Sequence, residues 1–184
     1  MVDSGTSTVV DDWVGRTLAG RYHVRHRIGE GGIGAVYVAE DARLARNVAV
    51  KVLHPQYAST DVLRVRFERE ARALSMLAHP NIVRPQDHCA FGGGSAYLAM
   101  DYARGVELET WLEEHGPMEP ARALGVLSQL AAALDYLHAR GFVHADVKPS
   151  HLILDEANHD ALTLLDFGCA FDASDTVRSY DVGG

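Results

Sequence analysis

The stretch Gly29-Glu30-Gly31-Gly32-Ile33-Gly34-Ala35-Val36, with Val48-Ala49-Val50-Lys51 shortly after it, decides how this chain is read. Strand-like runs flank the glycines: Tyr22 to Gly29 before them, Ala35 to Glu40 after them, and Asn47 to Leu53 beyond a turn at Asp41 to Arg46. Three strands joined by short turns make an antiparallel start. In the third, Ala49 and Lys51 share one face while Val48, Val50 and Val52 share the other, so the valines pack and Lys51 faces a cleft. Glycine has no side chain to hold a ligand off, so Gly29, Gly31 and Gly34 can bring backbone N–H groups against phosphate oxygens. The same glycines also read as a tight turn and no more. A strand follows them, whereas a dinucleotide-binding fingerprint needs a helix there.

Working outward, residues 1–20 are rich in Ser, Thr, Asp and Gly without periodicity and read as a mobile tail. Thr60 to Ala78 reads as a helix with Phe67, Ala71, Leu74 and Ala78 on one stripe, ended by His79-Pro80. Two strands, Gln86 to Phe91 and Ala96 to Asp101, are joined by Gly92-Gly93-Gly94. Residues 21–103 therefore form a five-stranded antiparallel lobe with one helix. From Arg104 the pattern turns helical, at Leu108 to His115 and at Glu119 to Arg140, where Leu124, Leu127, Leu130, Leu134 and Leu137 recur at helical steps. Gly141 stops that helix, and short strands are expected at Leu152 to Leu154 and Leu162 to Leu165. The fold class is α+β in two lobes, residues 104–184 forming the second.

With 184 residues and 47% hydrophobic content the chain can bury one sizeable core or two small lobes. A net charge of -8 gives no basic footprint for nucleic acid or anionic lipid, so any bound phosphate must be held locally. Cys89 and Cys169 suggest no disulfide framework, and no leader or long apolar run occurs, which reads as cytoplasmic. The ten histidines lack ligand spacing; apart from His144 and His151 they read as surface or packing residues.

The glycine-rich turn and Val48-Ala49-Val50-Lys51 are followed in order by Glu70, His144-Ala145-Asp146-Val147-Lys148 and Asp166-Phe167-Gly168. In this order and spacing the set resembles the eukaryotic-type protein kinases, and most of all the bacterial serine/threonine kinases. The resemblance implies a two-lobed kinase fold with ATP and Mg2+ in the cleft, a protein substrate with a Ser or Thr acceptor, and phosphoryl transfer. Lys51 would neutralise phosphate charge while Glu70 fixes its ammonium; Glu68 is the competing carboxylate. By the same resemblance Met100 backs the adenine pocket, the backbone of Asp101 and Ala103 meets the base, Val36 and Ala49 cover the ring, Ile153 lies below it, and Glu107 is near the ribose. Plain core packing explains the apolar members equally well. Asp146 would orient the substrate hydroxyl, Lys148 would steady the transferring phosphoryl group, and Asp166 would hold the metal.

Two residues depart from the pattern. Ala145 replaces an arginine that pairs with a phosphorylated activation segment, so phosphates at Ser174, Thr176 or Ser179 would lack that partner. His151 stands where the family has a metal-binding Asn; imidazole is a poor ligand for Mg2+, which implies weaker second-metal binding and a tolerance for Mn2+. The sequence also reaches Gly184 before any Ala-Pro-Glu motif, so an incomplete helical second lobe is expected, with apolar residues between Leu124 and Leu137 left for a second copy or a partner to cover. Impaired activity follows as an expectation. The alternatives are a pseudokinase acting as an ATP-binding interaction module and a small-molecule kinase of related fold.

Overall fold

The computed structural model describes residues 13–31, 34–54, 67–68, 70–72, 74–92, 95–168 and 170–172. The expectations placed on Gly32, on the start of the helix at Thr60 and on Ser174, Thr176 and Ser179 lie outside them. Eleven strands are found among the described residues: β1 (Thr17–Leu18), β2 (Tyr22–Glu30), β3 (Gly34–Asp41), β4 (Arg46–Leu53), β5 (Pro85–Gly92), β6 (Ser95–Asp101), β7 (Val106–Glu107), β8 (Phe142–Val143), β9 (Leu152–Asp155), β10 (Ala161–Leu164) and β11 (Phe171–Asp172). Helix α1 comprises helical residues within 67–75, followed by α2 (Leu108–His115) and α3 (Pro120–His138).

The first lobe is an antiparallel sheet in the order β1-β2-β3-β4-β6-β5. Its sixth strand, β1, falls where the sequence reading put a tail. The pairing of Thr17 with His23 and Leu18 with Tyr22 buries Leu18, and two residues are too few to show periodicity. The strand alternation holds: Val48, Val50 and Val52 pack with Tyr22, Tyr37 and Tyr97 on one face, while Ala49 and Leu53 join α1 on the other. Both faces are therefore covered, and β4 lies in the middle with Lys51 on the α1 side.

Helix α1 buries Phe67, Ala71 and Leu74 as its stripe predicts, but not Ala78, which is exposed. The helix has already ended by Met76: the Leu77 N–H bonds back to Leu74 O (3.1 Å) and the Ala78 N–H is taken by the Tyr136 hydroxyl (2.9 Å). Leu77, not Ala78, takes the last buried place. Beyond this turn Asn81 ties the two lobes together, its Nδ2 donating to Leu162 O (2.8 Å) and Gln129 Oε1 (2.9 Å).

The second lobe packs α2 and α3 against β9 and β10, and its core is continuous with that of α1. Glu119 caps α3 by accepting from the Arg122 N–H (3.0 Å), with Pro120 at the first helical position. Val126, Ala133 and Leu137 are buried, whereas Leu124 and Leu127 are 67% and 57% exposed. The apolar steps of α3 thus divide into one packed face and one open face.

Candidate active site

The cleft between the lobes is assembled from separate segments of the chain. Lys51 comes from β4, in the register that pairs it with Val36 on β3 and Leu98 on β6. Its Nζ donates to Glu70 Oε1 (2.9 Å) and Oε2 (2.8 Å) and to Asp166 Oδ1 (3.2 Å). Glu70, on the inner face of α1, is 1% exposed, while Glu68 is exposed, which decides between the two carboxylates. Burial opposes the Lys51 charge, but Glu70 and Asp166 outweigh it and hold the ammonium protonated. For Glu70, burial is the larger influence and pushes its carboxyl above the ordinary range despite Lys51. At Asp166 burial is overcome by Lys51 and by the Gly168 N–H, so its carboxyl is held low and stays ionised.

Gly168 and Gly34 have steric reasons to be glycine. A Cβ at Gly168 would come within 3.1 Å of Asp166 Oδ1 and 3.6 Å of Glu70 Oε2, crowding the ion cluster. A Cβ at Gly34 would sit 2.3 Å from Val52 O, so β4 itself excludes one. The Gly31 N–H bonds to Gly34 O (2.9 Å) and closes the glycine turn. Gly29 lies in β2 opposite Val36.

The floor of the cleft is the segment from His144 to His151. His144 is buried, and burial holds its imidazole below the ordinary histidine range. Its Nε2 donates to Leu165 O (3.0 Å) and its Nδ1 accepts from the Asp146 N–H (3.3 Å), so a neutral ring joins the loop to the residue before Asp166. His144 also stacks edge-on with Phe167, at 4.8 Å between ring centres. Phe167 is fully buried in the cluster that holds Leu74. Lys148 Nζ lies 3.3 Å from Asp146 Oδ2, and both side chains are open to solvent. Ala145 (φ 62°), which precedes Asp146, and Asp166 (φ 52°) hold left-handed backbone without being glycine.

Above this floor lie the residues expected to meet adenine. Val36, Ala49 and Met100 share one apolar cluster, and Ile153 is on the β9 face opposite buried Leu152 and Leu154. Glu107 pairs with Ile153 through β7. The Asp101 N–H is spent on Arg84 O (2.9 Å), so its backbone has only a carbonyl to offer a base, while Ala103 lies beyond β6 in the connection to the second lobe. His151, the departure from the family pattern, is 13% exposed and lies between the two aspartates: Nδ1 is 2.8 Å from Asp146 O, and Nε2 is 3.5 Å from Asp166 Oδ2. Lys51, Glu70, Asp166, His151, Asp146 and Lys148 are therefore linked by direct contacts, whereas Val36, Ala49, Met100, Glu107 and Ile153 are placed beside them by strand register. The contribution of His144 as its central tie was not legible beyond its place next to Ala145 and Asp146.

The protein kinase domain model matches residues 22–183. The chain belongs to the protein kinase family. It is 41% identical over 156 residues to the serine/threonine-protein kinase PknD of Mycobacterium tuberculosis, covering 85% of this chain and 23% of that protein. It is 37% identical over 167 residues to PrkC of Bacillus subtilis, covering 91% of this chain and 25% of that protein. The chain thus spans about a quarter of the length of these curated relatives. Among solved structures, the PknI kinase domain of M. tuberculosis superposes with a TM-score of 0.71 at 34% identity, over 84% of this chain and 60% of that one. The two-lobed kinase fold is therefore established, and the chain matches part of that domain. Among the described residues no helix is long and apolar enough to cross a membrane.

Proposed function

We propose that this chain carries the nucleotide-binding and catalytic core of an ATP-dependent protein serine/threonine kinase working in the cytoplasm. The observation that carries the reading is the contact of Lys51 with both Glu70 and Asp166, residues 19 and 115 positions away, at one end of a cleft whose floor holds Asp146 and Lys148. Such a buried ion cluster is costly to assemble for stability alone. It is suited to hold phosphates and a cation.

In this reading Lys51 receives the phosphates with its ammonium already oriented by Glu70, so no reorganisation is needed on binding. The glycine turn, closed by the Gly31 N–H on Gly34 O, brings backbone without side chains toward the same phosphates. Asp166, ionised and about two-fifths exposed, fits a divalent cation, with His151 as a second ligand. Bound ATP with Mg2+ or Mn2+ supplies the transferable phosphoryl group and charge neutralisation on it. Asp146 accepts the proton of a Ser or Thr hydroxyl, and Lys148 beside it steadies negative charge on the transferring group. Met100, Asp101, Ala103, Val36, Ala49, Ile153 and Glu107 receive the nucleoside.

Thermal unfolding of the chain with and without ATP and Mg2+ tests this, because a ligand that binds only the native state raises the midpoint. A rise in the wild type that Lys51→Met abolishes supports the reading; no rise refutes it. A second reading, a pseudokinase that binds ATP without transferring phosphate, is favoured by His151 at a metal-ligand position. ATP binding with no transfer under any divalent ion would establish it.

A further inference from the structure

His151 is held in a way that fixes which of its nitrogens can act. Its Nδ1 lies 2.8 Å from the carbonyl oxygen of Asp146, and a carbonyl only accepts, so Nδ1 carries the hydrogen. In the neutral ring this leaves the lone pair on Nε2. That atom points at Asp166 Oδ2 from 3.5 Å, beyond a good hydrogen bond, and it has no hydrogen to donate. Two electron-pair donors therefore face each other across a gap. The other Asp166 oxygen, Oδ1, is already engaged by Lys51 (3.2 Å) and the Gly168 N–H (3.1 Å), which aims Oδ2 toward His151. Among the described residues Asp146 also faces the ring, its Oδ2 3.5 Å from Nδ1.

A divalent first-row ion binds imidazole nitrogen and carboxylate oxygen at roughly 2.0–2.2 Å each, so two such donors about 3–3.5 Å apart can share one ion. A backbone carbonyl that fixes the far ring nitrogen is also the arrangement that orients ligating histidines. Mg2+ demands hard oxygen ligands and gains little from imidazole, whereas the later first-row ions gain progressively more. Building on the kinase reading, we infer that Nε2 of His151 and Oδ2 of Asp166 form a mixed nitrogen–oxygen metal seat, present before nucleotide arrives, that selects transition-metal ions over Mg2+. The chain's cation preference is then set in the apo protein by one side chain and not by the phosphates.

The test uses nucleotide-free protein with MgCl2, MnCl2 or CoCl2 alone, reading the unfolding midpoint and, for Mn2+, the loss of the free-ion electron paramagnetic resonance signal on titration. The wild type should respond in the order Co2+ above Mn2+ above Mg2+, with Mn2+ binding at least about tenfold tighter than Mg2+. His151→Asn, which puts an amide oxygen at this position, should bring Mn2+ and Mg2+ within about twofold of each other. His151→Gln is the second variant, and the metal-free midpoint of each shows that it folds. Equal wild-type responses to Mg2+ and Mn2+ would overturn the seat, as would a Mn2+ preference that survives in both variants, since that would place the ion on another of the ten histidines. An arm with ATP alone separates the two readings. A midpoint raised by ATP with no metal discrimination sinks the seat and leaves the kinase reading standing; metal discrimination without any ATP response does the reverse.

Discussion

The two walls of the cleft are built differently. On the upper wall Lys51 and Glu70 are nearly sealed from solvent, joined by two short hydrogen bonds and backed by the packed stripe of α1. On the lower wall Asp146 and Lys148 are open, their one mutual contact is 3.3 Å long, and the loop that carries them is held by backbone bonds to His144 and His151. The upper wall is organised to receive something already charged. The lower wall leaves Asp146 and Lys148 open to solvent, and it is there that the sequence departs from the family pattern, at Ala145 and His151. The upper wall is fixed by buried contacts, and the lower wall is open.

Substitutions should divide along this line. The largest effect is expected on transfer from the lower wall: Asp146→Asn should lower phosphoryl transfer by about 10²–10⁴-fold, the usual share of a positioned proton acceptor. Its unfolding midpoint should hardly move, because the side chain is open to solvent. On the upper wall Glu70→Ala should act on stability as well. Leaving Lys51 buried with only Asp166 is a broken buried pair, costing about 3 kcal/mol or more, or roughly 6–12 °C in a chain of this size. Calorimetry of the two variants side by side would break the comparison if Asp146→Asn proved the less stable.

A second contrast, between the two faces of α3, sharpens the first. Leu137→Ala should cost about 2–5 kcal/mol because Leu137 is fully buried. Leu124→Ala should change stability by no more than about 0.5 kcal/mol. Denaturant midpoints measure both, and a large loss at Leu124 would show that the open face is covered in solution.

The smallest effect is one of pH. Burial holds the His144 ring below its ordinary 6.5, so the unfolded chain binds the proton more readily than the native one. The stability this gives is present above pH 6.5 and is lost as pH falls below it. The midpoint should therefore decline as pH falls through 6.5, with a shallower decline in His144→Gln. Asp166, whose carboxyl is held low, stabilises the native state above its ordinary 3.8 and loses that contribution only below it; Glu70, whose carboxyl burial pushes up, titrates with the opposite sign, so the difference between the wild type and His144→Gln isolates the histidine.

Much of this was legible in the residues because periodicity reports burial. The alternation from Val48 to Leu53 separated Lys51 from the packed valines, and the stripe of Phe67, Ala71 and Leu74 marked the buried face of α1, on which the structure places Glu70 and not Glu68. What escaped reading lacks a period or depends on distant partners. Two-residue strands such as β1, β8 and β11 exist only through their pairing, and the exchange of Ala78 for Leu77 depends on a hydroxyl from Tyr136. The chemistry-bearing residue types could be named from order and spacing. That His144 and His151 hold the same backbone unit, Asp146, from its two sides could not, because it rests on ring orientation.

The most direct test of the central claim is transfer of labelled γ-phosphate from ATP to a Ser- or Thr-containing protein substrate, with Mg2+ and with Mn2+, by the wild type and by Asp146→Asn. The account predicts label on Ser or Thr with the wild type, more of it with Mn2+ than with Mg2+, and little with the variant although it still binds ATP. Wild-type protein that binds ATP yet transfers no label with either ion would contradict it.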